Sequence, residues 1–128
     1  MRKTLTFAAL AVAFAATGCA QSPVREGGYA VDAAWPKPLP NNWTLGQVAG
    51  IAVDARDHVW LIHRPKTLID EEKGAAINPP RAKCCLPAPP VLEFDGVGNL
   101  LRAWGGPGSG YEWFENEHGI TIDGQGNV

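Results

Sequence analysis

Between residues 48 and 128 apolar and polar positions alternate in short runs, and Asp, Gly and Asn separate the runs. Val59, Leu61 and His63 alternate with Trp60, Ile62 and Arg64, the period of two that sends successive side chains to opposite faces of a strand. Outside the N-terminal segment no ten-residue window carries a helical period, so an all-β chain is expected. The pattern predicts five strands, at residues 48–54, 58–63, 91–95, 100–104 and 118–123.

The breaks between these strands repeat. Asp54 to His58, Asp95 to Asn99 and Asp123 to Asn127 each read Asp, two spacers, Gly or Asp, then Asn or His. Aspartate accepts the N–H bonds of a tight turn, and Gly or Asn tolerates the left-handed residue that a short hairpin loop needs. Gly50-Ile-Ala-Val-Asp-Ala-Arg-Asp-His-Val-Trp60 returns 69 positions later as Gly119-Ile-Thr-Ile-Asp-Gly-Gln-Gly-Asn-Val128, with a further hairpin over residues 91–104 between the two copies. Two tight hairpins, followed by the same pattern restarting, describe a four-stranded antiparallel blade and the start of its neighbour, which is the architecture of a β-propeller. The segment resembles NHL-repeat propellers. That likeness implies a six-bladed ring when complete, with about one and a half blades over residues 29–128 of this chain. A small β-domain closed by oligomerisation is the other reading.

Strand parity locates the interesting end of the sheet. With alternating strand directions, the start of the first strand, the connection over residues 64–90, the connection over residues 105–117 and the start of the strand at 118 all share one end, here called the upper face. The lower face carries only the tight turns at 55–57, 96–98 and 124–126. Arg64 to Pro90 spans 27 residues and Gly105 to Glu117 spans 13. Compact domains rarely carry the longer of these without a functional reason. His118, at the start of the innermost strand, His63 and Arg64 are therefore expected at one rim. Imidazole suits zinc, and a guanidinium holds a carboxylate bidentately; a hydrogen-bonded histidine and a solvated arginine are the bland alternatives. Glu112, Glu115 and Glu117 either gather near a metal or form a solvated acidic loop, the latter being favoured. His58, in a lower turn, is given no role, and Trp113 is the tryptophan expected to face a ligand.

In order and spacing, Leu45 to Asp54, Val59 to Arg64, Val91 to Asp95 and Glu117 to Asn127 are similar to the start of the peptidyl-α-hydroxyglycine α-amidating lyase family, a propeller enzyme. The likeness covers residues 45–128. It implies that His118 is one of three zinc-binding histidines, that Arg64 lines the active site, and that Ile51 and Ile120 give backbone carbonyls to a structural calcium. The two other histidines and the tyrosine base fall in later blades. The activity implied is a metal-dependent lyase or hydrolase acting on a small-molecule or peptide substrate. A non-catalytic propeller that binds a peptide, glycan or partner protein is the competing class. The prolines and the Cys84-Cys85 pair between Arg64 and Val91 depart from the lyase pattern.

Composition changes the picture at two points. Eleven basic against thirteen acidic residues give a net charge of −2, so there is no basic field for nucleic acid. Arg2 and Lys3 precede a short apolar run, residues 5–16, which is well under the roughly twenty residues that span a bilayer and reads as an export signal. Ala16-Thr17-Gly18-Cys19 resembles a bacterial lipobox, with Ala16 where Leu is usual. This implies a signal over residues 1–18, a lipidated Cys19, a tether over residues 19–28, and a membrane-anchored protein facing the periplasm or cell exterior. Ordinary secretion is the alternative. In an oxidising compartment Cys84 and Cys85 are expected to form a disulfide that stiffens the long connection.

Overall fold

The structure, a computed structural model, describes residues 25, 26 and 28–128. The signal segment, Cys19 and most of the tether lie outside the described residues. The chain divides into two units, residues 1–31 and 32–128. In the first, β1 (Arg25–Glu26) pairs antiparallel with β2 (Tyr29–Ala30) across a turn at Gly28, whose φ is 86°.

The second unit is built on one four-stranded antiparallel sheet. It comprises β4 (Gln47–Val53), β5 (Val59–Arg64), β7 (Val91–Phe94) and β8 (Leu100–Trp104), side by side in that order. Two further strands, β3 (Trp43–Thr44) and β6 (Leu86–Pro87), pair parallel and tie the end of the long connection to the chain that precedes β4. The only helical element among the described residues is a 3-10 turn at Pro65–Thr67. The chain is thus all-β, as its alternation requires.

Register explains the core. Ile51 stands opposite Leu61, Leu61 opposite Leu92 and Leu92 opposite Ala103, so these share one face; Ala52, Trp60 and Glu93 share the other with Ile62 and Val91. On the first face Leu61, Ala88, Leu92 and Phe94 form a buried cluster covered by Trp35, Leu39, Trp43 and Leu45. On the second, Trp60, Ile62 and Val91 are covered by Trp113, Ile120 and Ile122.

The three turns are built alike. Asp54, Asp95 and Asp123 each donate their N–H to the carbonyl four residues on, at 3.0 Å. Their Oδ1 atoms accept from the N–H groups two and four residues ahead, at 2.8–3.1 Å. The residue before the closing one is left-handed in every case: Asp57 at φ 60°, Gly98 at 88° and Gly126 at 84°. The third turn forms even though residues 118–123 pair with no strand among the described residues. That segment was predicted as a strand; it lies on the second face of the sheet through Ile120 and Ile122 without a ladder of its own. A strand is defined by its pairing partner, and among the described residues none is laddered to 118–123.

Candidate functional site

The upper face is assembled by backbone contacts at the ends of β4 and β5. Gly46 is required there, because a Cβ at that position would lie 2.0 Å from the Arg64 carbonyl oxygen. Its N–H donates to His63 Nδ1 at 3.0 Å, while His63 Nε2 bonds the Pro89 carbonyl at 3.0 Å. Since Nδ1 accepts, Nε2 carries the proton, and the ring is the neutral tautomer fixed by its partners. His63 is fully buried, and burial holds its pKa below the usual histidine value, opposed in part by the Pro89 bond and the nearby charge of Glu117. Both ring nitrogens are used structurally, so His63 pins the 65–90 connection to β4 and is not free to take a metal.

Arg64 reaches across to the other connection: its Nε donates to the Glu117 carbonyl at 2.7 Å. Lys66 Nζ lies 3.4 Å from the Glu115 carbonyl. The two long connections and the start of the 118–123 segment therefore meet at one end of the sheet. Between them lies a cleft of about 300 Å³, walled by Trp43, Trp113 and Pro87 to Pro90, with Lys66 and Glu117 among its polar lining. Trp113 packs edge-on against Trp104 and stacks on Phe114 at 4.6 Å. Gly105, at φ 95°, leaves room for its ring, since a Cβ there would lie 2.6 Å from it. Glu117 is 3% exposed and accepts from Trp113 Nε1 at 2.9 Å, whereas Glu112 and Glu115 are exposed. The acidic stretch is thus a solvated loop at two positions and a buried carboxylate at the third. The lone hint in the sequence was a Trp four residues before Glu117.

His118 is exposed. Among the described residues the one group of acidic or imidazole side chains close enough to share an ion is Asp54, His58 and Glu93, at the lower face. A zinc ion at His118 therefore needs its other ligands from beyond these residues. Ile51 and Ile120 lie at equivalent repeat positions on segments that run close together: a Cβ on Gly50 would meet Gly119 Cα and Ile120 N, both at 3.1 Å. In the 65–90 connection the sulfurs of Cys84 and Cys85 are joined in a disulfide.

The lower face carries a network that the turn spacing did not announce. Glu93, 2% exposed, accepts from Arg56 at 3.1 Å, from His58 Nδ1 at 2.8 Å and from Arg102 Nε. Asp54 takes Arg56 at 2.8 Å and Trp60 Nε1 at 3.1 Å, and Arg102 stacks over the Trp60 ring at 5.1 Å. Burial pushes both carboxyls up, but these bonds outweigh it and hold Asp54 and Glu93 below the ordinary carboxylate range. Two guanidinium groups already neutralise the two carboxylates, so a metal ion here would have to displace them. A larger cleft, about 400 Å³, opens between this network and the third turn. Of its charged walls, Asp54 and Arg56 pair with each other, Arg102 pairs with Glu93, and Asp123 is held by its own turn, so the upper cleft is the better candidate for a ligand. No protein-family model, no curated protein and no solved structure matches this chain.

Proposed function

We propose that this chain is a repeat unit of an NHL-type β-propeller, exported and anchored through a lipidated Cys19, and that its upper face binds a ligand. The observation that carries the binding site is the Arg64 to Glu117 contact, which joins both long connections around one aromatic and proline-walled cleft. The like construction of the three turns, and the approach of Gly50 to its repeat equivalent Gly119, support the propeller. The binding face is tested by two-dimensional amide and indole NMR of the chain against a panel of small peptide, saccharide and amine fragments. Trp43 and Trp113 indole resonances are expected to move first. Fragments that move only the Trp60 indole and the Arg56 and Arg102 side chains would put the site at the lower face instead.

A second reading, a metal-dependent lyase, draws support from one observation: Arg64 holds the carbonyl that immediately precedes His118, so both residues share the rim. In that reading His118 contributes one zinc ligand and the metal supplies Lewis acidity toward a substrate hydroxyl. The two outer nitrogens of Arg64 anchor a carboxylate, and carbonyls of Ile51 and Ile120 serve a structural calcium. Elemental analysis separates the readings: about one zinc per chain, lost in His118→Ala, favours the lyase. A folded protein free of metal favours the binding module.

A further inference from the structure

Glu117 is buried without a counter-charge. Its Oε1 accepts from Trp113 Nε1, yet among the described residues no Lys, Arg or His nitrogen forms an ion pair with its carboxylate. Glu93, as deeply buried, shows the usual solution, with two guanidinium groups and an imidazole gathered on it. Of the cations beside the cleft, Arg64 gives its Nε to the Glu117 carbonyl and Lys66 its Nζ to the Glu115 carbonyl, both backbone oxygens, and no nitrogen of either comes within ion-pair distance of the Glu117 carboxylate. His63 is neutral by its bonding. Every side-chain nitrogen or oxygen that is closed off from solvent has a partner. Glu117 Oε2, which no described residue bonds, is therefore not closed off from solvent, and Glu117 lines the upper cleft.

The walls sharpen the requirement. Pro87, Pro89 and Pro90 have no N–H, and the Pro89 and Pro90 carbonyls each already accept one bond from His63, so this side of the cleft offers apolar surface and only the second lone pairs of those two carbonyls. A ligand that complements it brings donors, a positive charge and a short apolar stem. We propose that the upper cleft binds a primary ammonium group on a short aliphatic stem, with Glu117 as its counter-charge. The three N–H donors of such a group match a carboxylate oxygen and neighbouring carbonyls, and the stem lies against proline and tryptophan. This proposal rests on the upper face being the ligand-binding face.

The test uses n-propylammonium chloride as probe and the Trp113 indole N–H resonance as readout, because that N–H donates to Glu117. Saturable movement of this resonance is expected. Sodium chloride at matched ionic strength and sodium propionate, which carries the same stem with the opposite charge, are expected to leave it in place. Glu117→Gln should weaken binding at least tenfold, and Glu115→Gln, at an exposed neighbour, should not. If Glu117→Gln fails to fold, as judged by its amide dispersion, the comparison of propylammonium with propionate on the unaltered chain still decides. Equal movement by propionate, or none by propylammonium, overturns the proposal. If n-propanol or methyl glucoside moves Trp43 and Trp113 while propylammonium does not, the ammonium class falls and the upper face stands. If no probe of any kind moves either indole, both fall.

Discussion

At the scale of single residues, the two interior histidine and carboxylate sites set opposite ends of an acid response. His63 is neutral in the fold with its pKa lowered by burial, while an unfolded histidine titrates near 6.5. Between the lowered value and 6.5 the unfolded chain binds more protons, so stability rises with pH there and is lost as pH falls below about 6.5. Asp95 and Asp123 titrate below their ordinary range because the Asn99 and Asn127 side chains, then the turn N–H groups, favour the carboxylate; the Asp54 and Glu93 ion pairs act in the same direction. Their contribution is present above the unfolded carboxylate values and fades only as pH drops through the lowered folded ones. The urea midpoint is therefore expected to fall between about pH 7.5 and 5.5, above the range in which Asp54, Glu93, Asp95 and Asp123 titrate, and to fall again below about pH 4. In His63→Gln the first fall should vanish and the second remain. A first fall that survives this substitution would assign it to another group.

At the scale of elements, the turns show how much a sequence discloses. Asp followed at the fourth position by Asn or His fixed the hairpins because every bond in such a turn is local, between residues at most four apart. Four of the five expected strands followed because a two-residue period sends successive side chains to opposite faces of a sheet. What was hidden is whatever depends on long-range contact. The Glu93 network joins residues up to 37 positions apart, and the short parallel pair β3 with β6 depends on where a 27-residue connection returns. The burial of Glu117 needs Trp113 and Arg64 from separate elements. Gly98 couples the two kinds of information. Its left-handed turn position was legible, but its carbonyl also accepts from Lys37 N–H at 2.9 Å, and a Cβ there would lie 2.9 Å from the Trp35 ring. Gly98→Ala should therefore cost about 2 kcal/mol, from left-handed strain together with the clash on Trp35. Gly126→Ala, where nothing lies within 4 Å, should cost about 1 kcal/mol from strain alone. Chemical denaturation of the pair measures the difference, and equal losses would show that the Trp35 segment gives way freely.

At the scale of the whole molecule, the offset of 69 positions makes a comparison inside one chain. Ile120 and Ile122 are the repeat equivalents of Ile51 and Val53. The later pair is half-buried against Trp60, Ile62 and Val91, whereas Ile51 and Val53 are 64% and 60% exposed on the face that Leu61 and Leu92 share. If successive units pack by one rule, Ile51 and Val53 are shaped to enter another unit's equivalent of the Trp60 cluster, as Ile120 and Ile122 enter this one. The energetics can be read directly. Truncating Ile120 and Ile122 together to Ala should destabilise this chain by about 2 kcal/mol, since each loses roughly half of a buried side chain's contribution. The same double truncation at Ile51 and Val53 should cost under about 0.5 kcal/mol, the usual range for exposed positions. Within any longer chain or assembly that supplies the neighbouring unit, the two costs should converge, because the first pair then becomes buried like the second. Denaturant unfolding of both double variants, in this chain and beside a neighbouring unit, makes the comparison. Costs that stay unequal once the neighbour is present would mean that the repeat in sequence does not carry a repeat in packing.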